Sequence, residues 1–430
     1  METKRAYKTE LDLNNEQVTM CLQHAGAARF AYNWGLREII QARARGEKKP
    51  TAIDLHRKLN ALKATEFPWM YESSKCAPQE ALRNLDVAFD NFFRRCKQAK
   101  GPQSGGAKKK GFPKFKSRKN GIGTLRVRLT GAIKVSERTI RLPRLGELRL
   151  KEAAYLPVNA KVSQATVGEK NGRWYVTVLT AVEVKECATP AMPIVGVDLG
   201  IKSLAVLSNG EVIENPKHLR AAQRKLKRMQ RAVSRKKTAM GPLGKGSGRR
   251  KDAVRQLGKQ HERIANKRKD ATNKFTTRIT RESSMIGIED LNVRGMLANH
   301  RLAGALADAS FGEIRRQIEY KARWYGSTVV VIDRFAPTSK MCSGCGCVKD
   351  SLSLSERTFK CDACGLEIDR DLNAALNIKY LAASCVDKIN GRGLGSADDG
   401  RKPIVAPGVS KVKRQLNVKS DAGPICLSFG

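Results

Sequence analysis

Apolar and polar residues alternate over Tyr7-Lys-Thr-Glu-Leu11, the period of a half-buried strand, and Asn14 or Asn15 then stands where a helix N-cap belongs. The helix it opens is expected to reach about Arg45, passing through Gly26-Ala-Ala-Arg-Phe-Ala-Tyr-Asn-Trp-Gly-Leu36, where aromatic residues surround basic Arg29. Further helices are predicted over residues 53–62 and 78–97, and Lys100-Gly-Pro-Gln-Ser-Gly-Gly-Ala107 reads as a linker. From 111 to 182 the period changes to two. Thr124-Leu-Arg-Val-Arg-Leu129, Thr139-Ile-Arg-Leu142 and Glu147-Leu-Arg-Leu150 alternate apolar with basic residues, and the Asn171-Gly172 turn leads into a strand at Trp174-Tyr-Val-Thr-Val-Leu179. The cationic face of these strands either tracks a phosphate backbone or is a solvated edge.

A second linker over 185–193 precedes the most ordered stretch. Ile194-Val-Gly-Val-Asp198 is a buried strand ending in an acid, and Ser203-Leu-Ala-Val-Leu207 and Glu211-Val-Ile213 flank the turn Ser208-Asn-Gly210, which predicts a three-stranded meander. Leu219, Ala222, Leu226, Met229 and Val233 then step by three and four, and a second stripe runs through Val254, Leu257, His261 and Ile264. With Met240-Gly-Pro-Leu-Gly-Lys-Gly-Ser-Gly248 between them, the two stripes predict an antiparallel helical hairpin with a narrow seam that includes His261. Met285-Ile-Gly-Ile-Glu289 is another strand ending in an acid. A helix over 311–325, a strand at Ser327-Thr-Val-Val-Val-Ile332 and a helix from about Asp371 to Ala383 follow.

Composition narrows the partners. The chain has 430 residues, room for roughly three domains, with 82 Lys and Arg against 41 Asp and Glu, a net charge of +41. Such an excess repels itself in a compact fold unless a polyanion neutralises it, so nucleic acid is the expected partner. The hairpin region, 216–270, concentrates 20 Lys or Arg against three acids, which makes Arg224, Lys225 and Arg228 candidate nucleic-acid contacts. The run from 108 to 119, with Lys114, Lys116 and the aromatics Phe112 and Phe115, is either a nucleic-acid contact or a solvated linker. No secretory signal and no apolar run long enough for a membrane span are expected, which suits a cytoplasmic protein with no membrane partner. The segment from 389 to 430, rich in Gly, Ser, Pro and Lys, is expected to be largely disordered.

Four cysteines carry chemistry. Cys342-Ser-Gly-Cys345-Gly346 and Cys361-Asp-Ala-Cys364-Gly365 have the spacing of a tetrahedral zinc ribbon, whereas Cys347 fits neither knuckle. Asp198, Glu289 and Asp371 end or begin three elements that converge if the first and fourth strands of this second sheet are neighbours. Three carboxylates brought together repel one another, and divalent Mg²⁺ or Mn²⁺, which prefer all-oxygen ligands, remove that cost. Taken singly, Asp198 reads as a turn acid, Glu289 as a solvent residue and Asp371 as a helix N-cap. Asp369 competes with Asp371 for the third place, and Asp290, on the opposite face from Glu289, reads as a cap or turn residue.

The set Gly196-Val-Asp-Leu-Gly-Ile201, Ile288-Glu-Asp-Leu-Asn292, the paired knuckles and Asp369-Arg-Asp-Leu-Asn-Ala-Ala-Leu-Asn-Ile378 resembles the RuvC-like nuclease of TnpB proteins, insertion-sequence-encoded relatives of compact type V CRISPR effectors. The resemblance covers about 111–383 well and the N-terminal helices, with Arg29-Phe-Ala-Tyr-Asn33, more loosely. It implies an α/β RNase H-like (RuvC) nuclease domain with an inserted basic helical hairpin and a zinc ribbon, plus an N-terminal helical lobe and a β-barrel-like wedge domain. The implied boundaries are 1–12 for the first wedge strand, 13–107 for a helical recognition lobe and 108–190 for the β wedge. The nuclease follows at 191–335 with its helical insertion at 216–283, then the ribbon at 336–366 and the last nuclease helix at 367–388. By the same resemblance Asp198, Glu289 and Asp371 are the catalytic triad and hold Mg²⁺ or Mn²⁺, and Cys342, Cys345, Cys361 and Cys364 hold Zn²⁺. The partners would be a guide RNA and double-stranded target DNA, with base pairing reading the sequence and the protein reading a short adjacent motif.

Rival readings are a CRISPR-array effector, a DDE-type transposase and a non-catalytic zinc-ribbon nucleic-acid-binding protein. The transposase order along the chain is Asp, Asp, Glu, whereas here it is Asp, Glu, Asp. The binding protein leaves the three acids unused.

Overall fold

The computed structural model describes residues 2–98, 111–117, 126–158, 160–183, 191–236, 247–353, 355–390 and 404–405. The linker at 100–107, most of the second linker and of the loop at 240–248, and the tail beyond 390 apart from 404–405 lie outside them. The chain divides into two units, Glu2–Glu183 and Val184–Gly430.

The first unit opens with strand β1 (Glu2–Asp12) and helices α1 (Asn15–Ala44), α2 (Ala52–Lys63) and α3 (Cys76–Gln98). Asn14 caps α1: its side chain accepts the Gln17 N–H while the Gln17 side chain accepts the Asn14 N–H, a reciprocal capping box. Strands β2 (Arg126–Leu129), β3 (Lys134–Val135), β4 (Thr139–Leu142), β5 (Gly146–Leu150), β6 (Val162–Lys170) and β7 (Arg173–Glu183) join β1 in one antiparallel sheet of order β2-β6-β7-β1-β5-β4-β3. The alternation read from the sequence buries Leu129, Ile140, Leu148, Val167, Val176 and Val178 on one face, against Cys21 of α1 and Ala77 of α3. A barrel-like closure is not formed among the described residues. The edge strands β2 and β3 each pair with one neighbour and not with each other, and β3 is only Lys134–Val135. The helices have their own core, with Leu36, Leu55, Leu59, Leu82 and Leu85 at its centre.

In the second unit β8 (Ile194–Leu199), β9 (Ser203–Leu207) and β10 (Val212–Glu214) form the antiparallel meander. Helices α4 (His218–Arg235) and α5 (Gly248–Glu282) precede β11 (Met285–Glu289); α6 (Val293–Ala298), α7 (Ala303–Ala309) and α8 (Phe311–Tyr325) precede β12 (Thr328–Ile332). Then come β13 (Thr358–Lys360), β14 (Glu367–Asp369), α9 (Arg370–Asn390) and β15 (Ile404–Val405). The sheet order is β10-β9-β8-β11-β12-β15, with β8, β11, β12 and β15 parallel, so the first and fourth strands are neighbours.

Period two assigns the faces. Val195, Val197, Ile286, Ile288, Val329 and Val331 pack with Phe275 and Ile279 of α5 and Ile314 and Ile318 of α8. Met285, Val330 and Ile332 pack with Ile378, Ala382 and Cys385 of α9. Gly196 pairs with Gly287 across β8 and β11 on the α9 face. A Cβ at Gly196 would stand 2.1 Å from the Ala375 carbonyl oxygen and 2.5 Å from the Lys379 nitrogen, so α9 lies directly on this strand only because the residue is glycine.

The hairpin differs in phase from the sequence expectation. Leu226 and Ile264 are buried, but Val254 is 44% exposed and His261 is exposed, while Glu262 is buried. The reason is length: α5 is one continuous 35-residue helix whose far half is docked on the sheet and α8, and that docking fixes the rotation of the whole helix.

Candidate active site and metal centre

The alternation that puts Gly196 and Gly287 under α9 also puts Asp198 and Glu289, two residues further along each strand, on that face. Asp371 occupies the first turn of α9, which lies over these strands. Burial is the largest influence on Asp198. With the neighbouring charges of Glu289 and then Asp371, it pushes the carboxyl from 3.8 up to about 7, against the opposing effect of the Arg370 guanidinium. The three acids therefore share one electrostatic site, a place where negative charge accumulates without a full complement of cations.

Asp369 has a different task. It precedes the first residue of α9, and its Oδ1 accepts the N–H groups of Asp371 at 2.9 Å and Leu372 at 3.0 Å. That is the geometry of an N-cap, satisfying two donors the helix cannot satisfy itself. Asp371 acts on Asp198 more strongly than Asp369 does, and Arg370 lies 3.3 Å from its Oδ1. Asp290 also has a structural role: it joins Arg315 at 2.6 Å and Arg334, and these bonds hold its carboxyl below the usual range. It is an ion-pair bridge rather than the cap or turn residue expected from sequence.

Each remaining acid is held by a neighbour. Thr338 Oγ1 donates to Glu289 Oε1, and Arg370 holds Asp371. Among the described residues the three carboxylates do not make a cluster as tight as the cysteines, as befits mutually repelling charges. Their all-oxygen chemistry and the strain on Asp198 nonetheless fit a hard divalent cation, which would relieve that repulsion.

The ribbon is compact. The Sγ atoms of Cys342, Cys345, Cys361 and Cys364 all lie within 4.8 Å of one another, with Cys342–Cys364 at 3.6 Å and Cys345–Cys361 at 3.5 Å. A tetrahedron with Zn–S bonds of about 2.3 Å has edges of about 3.8 Å, so the set fits Zn²⁺. Gly346 and Gly365, each one residue past a knuckle, have φ of 76° and 73°, the left-handed turn that lets the chain fold back. Backbone N–H groups of Cys364 and Ala363 lower the Cys361 thiol, whereas burial raises those of Cys342 and Cys345, so without an ion the four do not share one charge state. Cys347 is exposed and outside the cluster.

The basic candidates separate. Arg224, Lys225 and Arg228 are exposed on α4, where Arg224, Lys227, Arg228, Arg231 and Arg235 line a hollow of about 890 Å³. Lys114 is exposed and Arg29 half-buried. Lys116 is folded inward. Its Nζ lies 3.9 Å from the centre of the Tyr32 ring, its backbone makes two bonds with the Asn33 side chain, and burial lowers its pKa. These contacts give Lys116 a role in holding its segment on α1.

Sequence reasoning missed Thr338, Asn373 and Asn377. The two asparagines, four apart on a helix and flanked by Ala374, Ala375 and Ile378, sit on a buried face, and buried amides need partners. That spacing was the available signal.

This is an α/β fold built on a mixed six-stranded sheet, with a four-cysteine cluster that could hold a metal ion. A cryo-EM structure of a Cas12f1–sgRNA–target DNA complex superposes with a TM-score of 0.51 at 16% identity, covering 84% of this chain and 82% of that one. Three family profiles match: "Cas12f1-like, TNB domain" over 311–378, "Probable transposase" (IS605 OrfB) over 177–300 and "Helix-turn-helix domain" over 1–48, where the structure has β1 and the single helix α1. A Streptomyces pristinaespiralis protein named "Putative RNA-guided DNA endonuclease" is 37% identical over 397 residues, 90% of this chain and 92% of its own length. A TnpB-like protein of Acanthamoeba polyphaga mimivirus is 38% identical over 138 residues, 31% of this chain and 26% of its own length. The chain belongs to the TnpB family of insertion-sequence proteins, relatives of the compact Cas12f effectors. Among the described residues no helix is long and apolar enough to cross a membrane.

Proposed function

We propose that this protein is an RNA-guided DNA endonuclease whose catalytic acids are Asp198, Glu289 and Asp371. The observation that carries the reading is the convergence of these acids on the α9 face of the sheet, where Asp198 is pushed up to about 7 by burial and by the other two. Mg²⁺ or Mn²⁺ bound there would supply the activation of water and the stabilisation of the leaving oxygen in phosphodiester hydrolysis. The chain's own part is to hold three carboxylates ready: β8 and β11 place two, the capped first turn of α9 places the third, and Arg370 limits the repulsion among them.

The zinc ribbon is assigned a structural role, its four thiolates consumed by the metal. The helices of the first unit are read as a recognition lobe and its sheet as the wedge, with Arg29 and Lys114 as nucleic-acid contacts and Lys116 as a support for that segment. The exposed cations of α4, Arg224, Lys225 and Arg228, are read as backbone contacts to the guide RNA or the target. The name of the Streptomyces relative, similar over nearly its whole length, supports guided cleavage of DNA.

The test begins with the protein purified from its native cells and the RNA that comes with it sequenced. DNA matching the variable end of that RNA should be cut in the presence of Mg²⁺. Asp198→Ala should abolish cutting while the RNA stays bound. Cleavage retained by Asp198→Ala would overturn the site.

A further inference from the structure

Glu289 closes β11, and Thr338 lies in the turn between β12 and the first cysteine knuckle, 49 residues along the chain. The Thr338 hydroxyl donates to Glu289 Oε1, and the residue is 3% exposed, so water has little access to compete for that bond. Thr338 is itself held from the other side. Its carbonyl accepts from Asn377 Nδ2 at 2.8 Å, and the same amide reaches the Met341 carbonyl at 2.6 Å. One turn earlier, Asn373 donates to the Met341 carbonyl at 2.7 Å and accepts the Ser343 N–H at 2.9 Å. Asn373 and Asn377 are 0% and 2% exposed, and both belong to the helix that begins beside Asp371.

A continuous chain of bonds thus runs from α9 through Asn377 and Thr338 to Glu289. We propose that Thr338 is a positioning residue for the nuclease site: its hydroxyl occupies one oxygen of Glu289 and fixes the carboxylate so that the other faces Asp198 and Asp371. The inference rests on the reading of Glu289 as a catalytic acid. Carboxylates that hold a metal are themselves oriented by such outer bonds, and losing one costs about 10–100-fold in metal affinity or activity. The turn that supplies Thr338 is pinned to α9 by the two asparagines, so Glu289 and Asp371 are referred to the same helix although they lie on different elements.

Valine keeps the size of threonine without its hydroxyl, and serine keeps the hydroxyl without the methyl group. The full chain with its co-purified RNA would be prepared as wild type, Thr338→Val, Thr338→Ser and Glu289→Gln, with zinc content and melting temperature measured for each. Two readouts follow: Mn²⁺ binding, from the loss of the free-ion electron paramagnetic resonance signal, and the single-turnover cleavage rate across a Mn²⁺ series. Thr338→Val is expected to raise the half-saturating Mn²⁺ concentration and to slow cleavage at limiting Mn²⁺ by about 10–100-fold, with zinc and target binding intact. Thr338→Ser should recover most of both. If Thr338→Val does not fold, Thr338→Ala, which relieves packing, takes its place. Wild-type Mn²⁺ binding in the hydroxyl-free variant would overturn the proposal, as would equal impairment in Thr338→Ser or loss of zinc along with activity. Full activity in Glu289→Gln would instead overturn the assignment of the site, which separates the two failures.

Discussion

Gly196 and Gly287 pair across the parallel strands β8 and β11, and α9 lies over both. Each stands two residues before an acid of the site, so the contact that seats the helix also sets the distance from Asp371 to the other two. A methyl group at Gly196 would meet backbone atoms of α9 at 2.1 and 2.5 Å, whereas at Gly287 it would meet Ile378 and Ala382 at 3.0 Å. Gly196→Ala is therefore expected to cost about 1–3 kcal/mol by overpacking and to abolish most cleavage, with Gly287→Ala milder in both. Thermal unfolding and cleavage assays on the two variants check the order. Equal tolerance at both positions would mean that α9 is not seated by this contact.

The two acids at the start of α9 separate by task. Asp369 caps the helix and Asp371 is the acid proposed for the site, so Asp369→Ser, which retains a capping oxygen, should cut DNA at nearly the wild-type rate. Asp369→Ala should lose about 1 kcal/mol of stability through the missing cap. Asp371→Asn should leave stability unchanged or raised, because a repelling charge is gone, and should eliminate cleavage. A cleavage-dead Asp369→Ser beside an active Asp371→Asn would reverse the assignment.

How much of this was legible in the chain depends on the range of the interactions. The strands that carry Asp198 and Glu289 announce themselves through period two and a terminal acid, and the knuckles through spacing alone. Asp369 and Asp371 remained ambiguous because capping is decided by where the helix begins, to within one residue. The rotation of α5 was hidden for a different reason. Its apolar stripe near Val254 and His261 is weak, and the phase is imposed from the far end, where Phe275 and Ile279 enter the core. The Arg315–Asp290–Arg334 bridge and the Thr338–Glu289 bond join residues from different elements, and no local pattern records such pairs.

The strain on Asp198 has a pH signature. Its carboxyl is pushed up to about 7 in the folded protein against 3.8 for the ordinary group. Between those values the folded form keeps a proton that the unfolded form has released. Its contribution to stability is therefore full below about pH 4 and is lost as pH rises through about 7. Asp198→Asn removes this dependence. Without added divalent cation and with zinc retained, the variant should gain on the wild type in melting temperature as pH rises from about 5 to about 8. Added Mg²⁺ at the upper end should raise the wild type more than the variant. Parallel pH profiles for the two proteins would show that Asp198 is not the strained group.

The α4 cations give the last prediction, about salt. Arg224, Lys225 and Arg228 are exposed on a helix of a chain whose net charge is +41, so an RNA or DNA backbone lying along α4 would release counterions as it binds. Each phosphate contact contributes about 0.7–0.9 to the slope of log affinity against log salt concentration. Changing all three residues to Gln should flatten that slope by about two and weaken binding alike for guides of different sequence, since phosphate contacts carry no base information. Melting temperature should not fall, because removing like charges from a self-repelling surface relieves it. Affinity of the co-purified RNA, measured by filter binding over a salt series, checks the slope. An unchanged slope would place the RNA elsewhere, and a loss confined to one guide sequence would mean that α4 reads bases.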